Sequence, residues 1–187
     1  MQSDITGDTH SDFTRFTEDQ FPIQSEMTKK DFDIDGKKFF TFGGAKSHDI
    51  QDGILNLDEE ERIYEYRKRG AYFRIRDYSW WDLELPTEDE MQNGIKNLEK
   101  VNYKVDYVIS HCCPTSIQSI IGAGKFEKDY LTDYFQKIME KCEFKKWYFG
   151  HYHDYRQVNS QFVLLYEGII PLEFELRFEL KNTEQKV

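Results

Sequence analysis

Cysteine, proline and long apolar runs are all scarce in this chain of 187 residues. The three cysteines, Cys112, Cys113 and Cys142, are odd in number and form no C-x-x-C pair, which argues against a disulfide framework and a structural zinc site. The four prolines are scattered rather than gathered into a linker, so one domain is expected. No apolar run approaches the roughly 18 residues that span a bilayer, and MQSDITGDTH lacks the order of a signal peptide. We therefore expect a cytoplasmic protein without a membrane partner.

Basic residues are outnumbered, with 25 Lys+Arg against 35 Asp+Glu and a formal net charge of −10. Such a chain repels phosphate backbones, so broad nucleic-acid binding is not expected. Aromatic residues are plentiful, with 15 Phe, 12 Tyr and 3 Trp, and 39% of the chain is hydrophobic. This composition is enough to build a core and excludes disorder of the whole chain.

Two kinds of apolar pattern alternate along the chain. Short runs rich in aromatic and β-branched residues predict strands at 37–42, 105–110, 146–149 and 162–166. Apolar residues at helical spacing predict helices at 58–69, 88–101 and 129–142, the second with a capping box formed by Thr87 and Glu90. Strands alternating with helices indicate an α/β domain. The alternation of apolar and charged residues over 172–180 predicts an additional strand with one face in water.

Four of the five histidines fall in three short segments. Asp8 and His10 lie in ITGDTHSD, His111 follows an apolar run in YVISHCCP, and His151 and His153 lie in WYFGHYHD. Ligand-binding side chains gather at the carboxyl ends of strands in α/β sheets. Imidazole and carboxylate together suit Zn, Mn, Fe or Ni. A single histidine is more often a hydrogen-bonded core or surface residue, but the set predicts a metal site.

GDTH, SHCCP and GHYH, each beside a predicted strand, resemble the motifs of the calcineurin-like metallophosphoesterases. Longer segments, among them FFTFGGAKSHDI and YSWWDLELP, resemble a bacterial branch of that superfamily, and the resemblance covers roughly residues 5–168. It implies two mixed β-sheets packed face to face and flanked by helices, within a domain spanning 1–170. Residues 171–187 are expected to form a C-terminal strand and a disordered tail.

The resemblance also implies a site for one or two divalent metal ions. Asp8, His10 and His153 would hold the first metal, and His111 and His151 the second. The expected reaction is hydrolysis of a phosphomonoester or phosphodiester, on a small molecule or a protein, by a metal-activated water.

Two blocks of that family pattern are missing. Neither the Gly-Asp motif with its metal-bridging aspartate nor the Gly-Asn-His motif has a recognisable counterpart, so the domain reads as internally shortened near 30–35. Asp31, Asp33 and Asp35 are the only acidic cluster in that interval, and none follows a glycine after an apolar strand. His48 in GGAKSHD is the candidate for the missing catalytic histidine, although in the resembled branch an FGG-x-x-SHD segment is a separate, later loop. Either the remaining strands close over the missing central ones, or the chain is a marginal remnant.

Other interpretations stay open at this point. The chain could be a non-catalytic descendant that keeps a metal or phosphate pocket for binding or interaction. An iron oxygenase with two histidines and a carboxylate is disfavoured, because such sites usually have the order His-x-Asp in a β-barrel. Tyr78, Trp80 and Trp81 are expected to be packing aromatics at a helix start, with the alternative that one lines the site. Cys112 and Cys113 are expected in a buried turn.

Overall fold

The computed structural model describes residues 4–6, 31–34 and 36–172. Its elements confirm the predicted alternation of strands and helices. In chain order they are β1 (Asp4–Thr6), β2 (Asp31–Ile34), β3 (Lys37–Phe42), β4 (Gly53–Leu55), α1 (Glu60–Lys68), β5 (Phe73–Ile75), α2 (Glu88–Lys100), β6 (Tyr107–Ser110), α3 (Thr115–Gly122), α4 (Tyr130–Lys141), β7 (Lys146–Phe149), β8 (Arg156–Gln157), β9 (Phe162–Leu164) and β10 (Ile169–Pro171).

A six-stranded mixed sheet forms the centre of the fold, in the order β2-β3-β6-β7-β9-β8. The four inner strands run parallel, and the edge strands β2 and β8 run antiparallel to their neighbours. Two smaller sheets accompany it, the antiparallel pair β1–β10 and the parallel pair β4–β5. The chain is therefore a mixed α/β protein, as the pattern predicted.

Both faces of the four inner strands of the central sheet are buried. Because successive side chains in a strand point to opposite faces, the four inner strands contribute to two separate apolar clusters. One cluster packs under α2, α3 and α4 and includes Phe40, Trp147 and Phe149. The other packs under the end of the described chain, where Ile170 and Leu172 cover it. Burial on both faces explains why these strands read as nearly continuous apolar runs.

The two longest helices begin where their sequences predict. The Thr87 hydroxyl accepts a hydrogen bond from the Glu90 backbone, and the Thr87 backbone donates one to the Glu90 carboxylate, which confirms the capping box of α2. Asp129 caps α4 in a similar way. Gly94 lets the helices approach closely, since an added Cβ would lie 2.2 Å from the Tyr134 hydroxyl oxygen.

Several elements were not predicted, namely α3 and the short strands β2, β4, β5, β8 and β10. The predicted strand at 172–180 and the tail lie outside the described residues, apart from Leu172. None of the helices in the described ranges is long and apolar enough to cross a membrane.

Candidate functional site

Three neighbouring parallel strands bring four histidines to one end of the central sheet. His48 lies in the loop after β3, His111 directly follows β6, and His151 and His153 follow β7. The hydrogen bonds of the ladder continue past the strand ends, because the His111 backbone donates to Phe42 and accepts from Gly150. The carboxyl ends of adjacent parallel strands meet at one edge of the sheet, which places these side chains together.

The four histidines line one cavity of about 480 Å³. His48, His111 and His151 are half-buried, whereas His153 is exposed. The cavity is also lined by Arg74 and by residues of the loop that follows β5. Its size lies within the range typical of small-molecule sites, about 300 to 1,000 Å³.

His151 stands at the centre of the histidine group. Its Nε2 atom lies 3.2 Å from Nδ1 of His48, and the two rings meet edge to face with centroids 4.8 Å apart. The His111 ring centroid lies 5.3 Å from that of His151. His153 packs instead against Tyr166, with ring centroids 5.1 Å apart.

The turn after β7 holds its two histidines in an uncommon backbone conformation. His151 has φ +74° and His153 has φ +49°, both in the left-handed region. Non-glycine residues in this region are uncommon and cost of order 1 to 3 kcal/mol where the surroundings impose them. Such positions cluster at binding and catalytic sites, so the turn is a reason to place function here.

The surroundings of His48 favour the neutral form of its imidazole. Burial lowers its pKa below the ordinary value of 6.5, against the opposing effect of the Asp49 charge. Electrostatic interactions with His153 and with the Arg74 guanidinium lower the pKa further. A neutral imidazole can donate or accept a hydrogen bond and can bind a metal ion.

Asp49 and Arg74 form a two-point ion pair at the cavity. Arg74 Nε donates to Asp49 Oδ1 at 2.9 Å, and Arg74 Nη2 donates to Asp49 Oδ2. Burial by itself would raise the pKa of Asp49, but the hydrogen bonds and charge of Arg74 outweigh it and the pKa is lowered. The pair uses Nε and Nη2 of the guanidinium, and Nη1 has no partner among the residues described.

The loop that carries His48 is fixed against the segment before α2. Ser47 donates from its backbone and hydroxyl to the Glu84 carboxylate at 3.0 and 2.6 Å. Gly44 has φ +92°, and a Cβ there would lie 3.0 Å from both the Glu84 carbonyl oxygen and Pro86 Cδ. Glycine is therefore required for the loop to pack this closely.

Tyr78, Trp80 and Trp81 line the same cavity and are named here the aromatic wall. They do not start a helix, since α2 begins at Glu88, so their predicted role as packing aromatics at a helix start is wrong. The Tyr78 residue is 65% exposed and Trp81 is 52% exposed. The alternative placed one aromatic of this segment at the site, and all three line the cavity that the histidines line.

Cys112 and Cys113 lie in a buried turn between β6 and α3, as predicted. The Cys112 Sγ atom lies 3.2 Å from the Tyr152 hydroxyl oxygen. Burial, together with both thiols, raises the pKa of Tyr152. These three side chains pack together within the turns that carry His111 and His151, and they do not line the cavity.

The structure brings three of the predicted site residues together, and two lie outside the part of the chain that it describes. His111, His151 and His153 come together at the cavity with His48, whereas Asp8 and His10 lie outside the described residues. Within the described ranges, no group of three His, Cys, Asp or Glu side chains is arranged to hold a metal ion. Sequence reasoning missed Arg74, whose segment FRIRDYS carries no recognisable motif. The nearby YSWW aromatics were the available signal for this side of the site.

Comparisons of the chain with protein-family models, curated proteins and solved structures found no significant match in any of the three.

Proposed function

We propose that this chain is a metal-dependent phosphoesterase of the calcineurin-like type. The observation that carries the proposal is the meeting of His48, His111, His151 and His153 at one cavity, on loops after three adjacent parallel strands. The sequence motifs SHCCP and GHYH supply two of these loops. The proposed fold is the two-sheet arrangement of that family, with the β1–β10 pair packed against the central sheet.

The histidine side chains at the cavity suit a metal ion chemically. The His48 and His151 nitrogens are separated by 3.2 Å, a hydrogen-bond distance at which His48 can orient His151 as a ligand. Imidazole is also a good ligand for the first-row divalent metals Mn, Fe, Ni and Zn.

The proposed metal ligands are His111, His151 and His153, completed by Asp8 and His10. When bound, a divalent cation would polarise a phosphoryl oxygen and lower the pKa of a water for attack on phosphorus. His48 would orient His151 through the contact between their rings. Ligand histidines usually have such a partner, and its loss typically lowers metal affinity 10-fold to 100-fold.

Arg74 is the proposed phosphate-binding residue. A guanidinium recognises phosphate oxygens through its fixed set of N–H donors, and it stays charged at any working pH. Asp49 fixes the orientation of Arg74, which leaves Nη1 for an anionic ligand. The substrate would be a small-molecule or protein phosphoester, and the place of action the cytoplasm.

A second candidate function is a non-catalytic metal- or phosphate-binding module. Two observations favour it: the sequence lacks the Gly-Asp and Gly-Asn-His motifs, and the described residues hold no three-ligand metal cluster. Such a module would bind its ligand at the same cavity without turnover.

Hydrolysis assays separate the two candidates. The full chain is incubated with Mn²⁺ and either p-nitrophenyl phosphate or bis(p-nitrophenyl) phosphate. The phosphoesterase predicts release of nitrophenol that a chelator stops and that His151→Ala abolishes, while Gln92→Ala, on the exposed face of α2, leaves the rate unchanged. No release above that of His151→Ala, on either ester, contradicts the enzyme.

A further inference from the structure

The aromatic wall presents ring surface that the described part of the chain does not use. Neither Tyr78 nor Trp81 has a ring contact or a side-chain hydrogen bond with another residue in that part. Both residues are more than half exposed, although they line a cavity rather than an open surface. Exposed aromatic rings gathered in a cavity are typical of sites that stack a planar ligand.

The loop that carries the aromatic wall is held in one conformation. The Asp77 backbone donates to the Trp80 carbonyl at 2.8 Å, and the Ser79 backbone donates to the Ile75 carbonyl at 2.8 Å. The Ile75 backbone in turn donates to the Ser79 hydroxyl at 2.9 Å. The Arg76 guanidinium lies 4.9 Å from the Trp80 ring centroid. A fixed loop loses little conformational entropy on binding a ligand.

Trp80 adds a hydrogen-bond donor without an acceptor. Its indole Nε1 is buried and has no hydrogen-bond partner among the residues described. An unpaired buried donor is unfavourable, so a ligand that brought an acceptor to it would be stabilised.

The same cavity contains groups suited to an anion. Arg74 lines it, and its charge also reaches His48. The cavity of about 480 Å³ therefore combines a cationic and imidazole portion with an aromatic portion. An aliphatic phosphate ester would contact the first portion and leave the aromatic wall in water.

We infer that the aromatic wall selects phosphate esters that carry a planar aromatic ring, with the ring stacked on Trp81 and Tyr78 and the phosphate near Arg74. The placement of the phosphate near Arg74 rests on the proposed phosphoesterase function. The placement of the ring rests on the exposed aromatic wall. A nucleotide and a simple aryl phosphate share this chemistry, and the test distinguishes them.

The test is calorimetric titration of the full chain in Mn²⁺ with phosphonates, which are not hydrolysed. The ligands are the phosphonate analogues of adenosine 5′-monophosphate and of ribose 5-phosphate, together with phenylphosphonate and free adenosine. We expect the adenosine phosphonate to bind at least about tenfold more tightly than the ribose phosphonate. Phenylphosphonate binding as tightly as the adenosine phosphonate identifies an aryl ester site; weaker binding identifies a nucleotide site.

Substitutions at Trp81 test whether the preference for the adenosine phosphonate arises at the aromatic wall. Trp81→Ala is expected to weaken binding of the adenosine phosphonate about 5-fold to 100-fold and to leave the ribose phosphonate unchanged, because stacking on one ring is lost. Trp81→Phe keeps a ring and should restore most of the affinity. Leu83→Ala is the matched control, since Leu83 is 87% exposed two residues away and does not line the cavity.

Equal binding of the adenosine and ribose phosphonates overturns the inference and leaves the phosphoesterase proposal standing. If adenosine binds as tightly as its phosphonate, the ring binds at the aromatic wall but the phosphate is not recognised. This result contradicts the phosphate placement and, with it, the proposed function. An unchanged affinity of Trp81→Ala, or no binding of any ligand, also overturns the inference.

Discussion

The Nδ1 atom of His48 lies 3.2 Å from the Nε2 atom of His151, although 103 residues separate the two in the chain. The contact joins the loop after β3 to the turn after β7, with β6 between these strands in the sheet. It therefore couples the segment FGGAKSHD to the GHYH motif at the proposed metal site. His48 acts here as a partner of a proposed metal ligand, which its sequence context alone did not indicate.

Removing this contact should weaken the proposed metal site without destroying it. We predict that His48→Ala lowers the affinity for Mn²⁺ about 10-fold to 100-fold, because His151 loses the partner that orients it. The measurement is calorimetric titration of Mn²⁺ into the metal-free chain. His151→Ala should lose more affinity than His48→Ala. An unchanged affinity in His48→Ala would show that the contact has no role in metal binding.

The hydrogen bond between β7 and β6 should stabilise the strand end that carries His111. Trp147 is fully buried, and its indole nitrogen donates to the Ser110 hydroxyl at 2.7 Å. We predict that Ser110→Ala lowers the free energy of unfolding by about 1 to 3 kcal/mol, because a buried donor is left unpaired. Urea denaturation measures the change. Ser119→Ala, at an exposed helix position, is the control and should change stability by less than about 0.5 kcal/mol.

The close approach of α2 and α4 should make Gly94 intolerant of a side chain. A Cβ there would lie 2.2 Å from the Tyr134 hydroxyl oxygen and 3.1 Å from Phe42 Cε2. Tyr134 cannot easily move, since its hydroxyl donates to the Met91 carbonyl and its ring packs on Phe42. We predict that Gly94→Ala lowers the free energy of unfolding by about 1 to 3 kcal/mol despite the higher helix propensity of alanine.

Thermal or urea denaturation checks the Gly94 prediction. Asn93→Ala, at an exposed position of the same helix, should be neutral or slightly stabilising. Adding Tyr134→Phe to Gly94→Ala removes the clashing hydroxyl and should recover part of the loss. Equal stability of Gly94→Ala and Asn93→Ala would mean that the helices can separate at little cost.

Asp106 should make stability depend on pH in the acid range. The Lys145 ammonium lies 2.9 Å from Asp106 Oδ1 and the Lys38 backbone donates to Oδ2 at 2.9 Å, and both lower the pKa of Asp106 below 3.8. The ionised carboxylate therefore stabilises the folded chain above about pH 3.8, and this contribution is lost as pH falls through the lowered folded-state pKa.

Asp106→Asn tests this direction of the pH dependence. We expect the variant to be less stable than the wild type by about 1 kcal/mol at pH 7, since an amide loses the charge-assisted part of both interactions. The difference should shrink as the pH falls below about 4. Urea denaturation of both chains at pH 7 and pH 3 measures it, and a difference that stays constant between these values would contradict the assignment.

Local patterns predicted the elements that are long or clearly periodic. The strand runs 37–42 and 146–149 and the helix beginning after Thr87 are confirmed, because apolar periodicity and capping chemistry are encoded in adjacent residues. The strands β4 and β5 have three residues each, too few for a period to show. Helix α3 begins at Thr115, and Pro114 before it makes no side-chain cap, so its start carries no capping signal.

The site was predictable only in part. Motifs beside strand ends indicated His111, His151 and His153, because the end of a parallel strand is where ligands gather. Arg74 lies in β5 and the aromatic wall lies in the loop that follows it, and the position of both against the histidines depends on tertiary packing. No local pattern encodes that placement, and the wrong expectation for Tyr78, Trp80 and Trp81 has this cause.

The most direct test of the central claim is the metal content of the chain. The full-length protein and His151→Ala are loaded with Mn²⁺ or Zn²⁺, dialysed against metal-free buffer and measured by elemental mass spectrometry, with Gln92→Ala as the control. The proposed metal site predicts at least one ion per chain in the wild type and control, and a clear loss in His151→Ala. Equal metal content in the wild type and His151→Ala, or no retained metal in either, would contradict it.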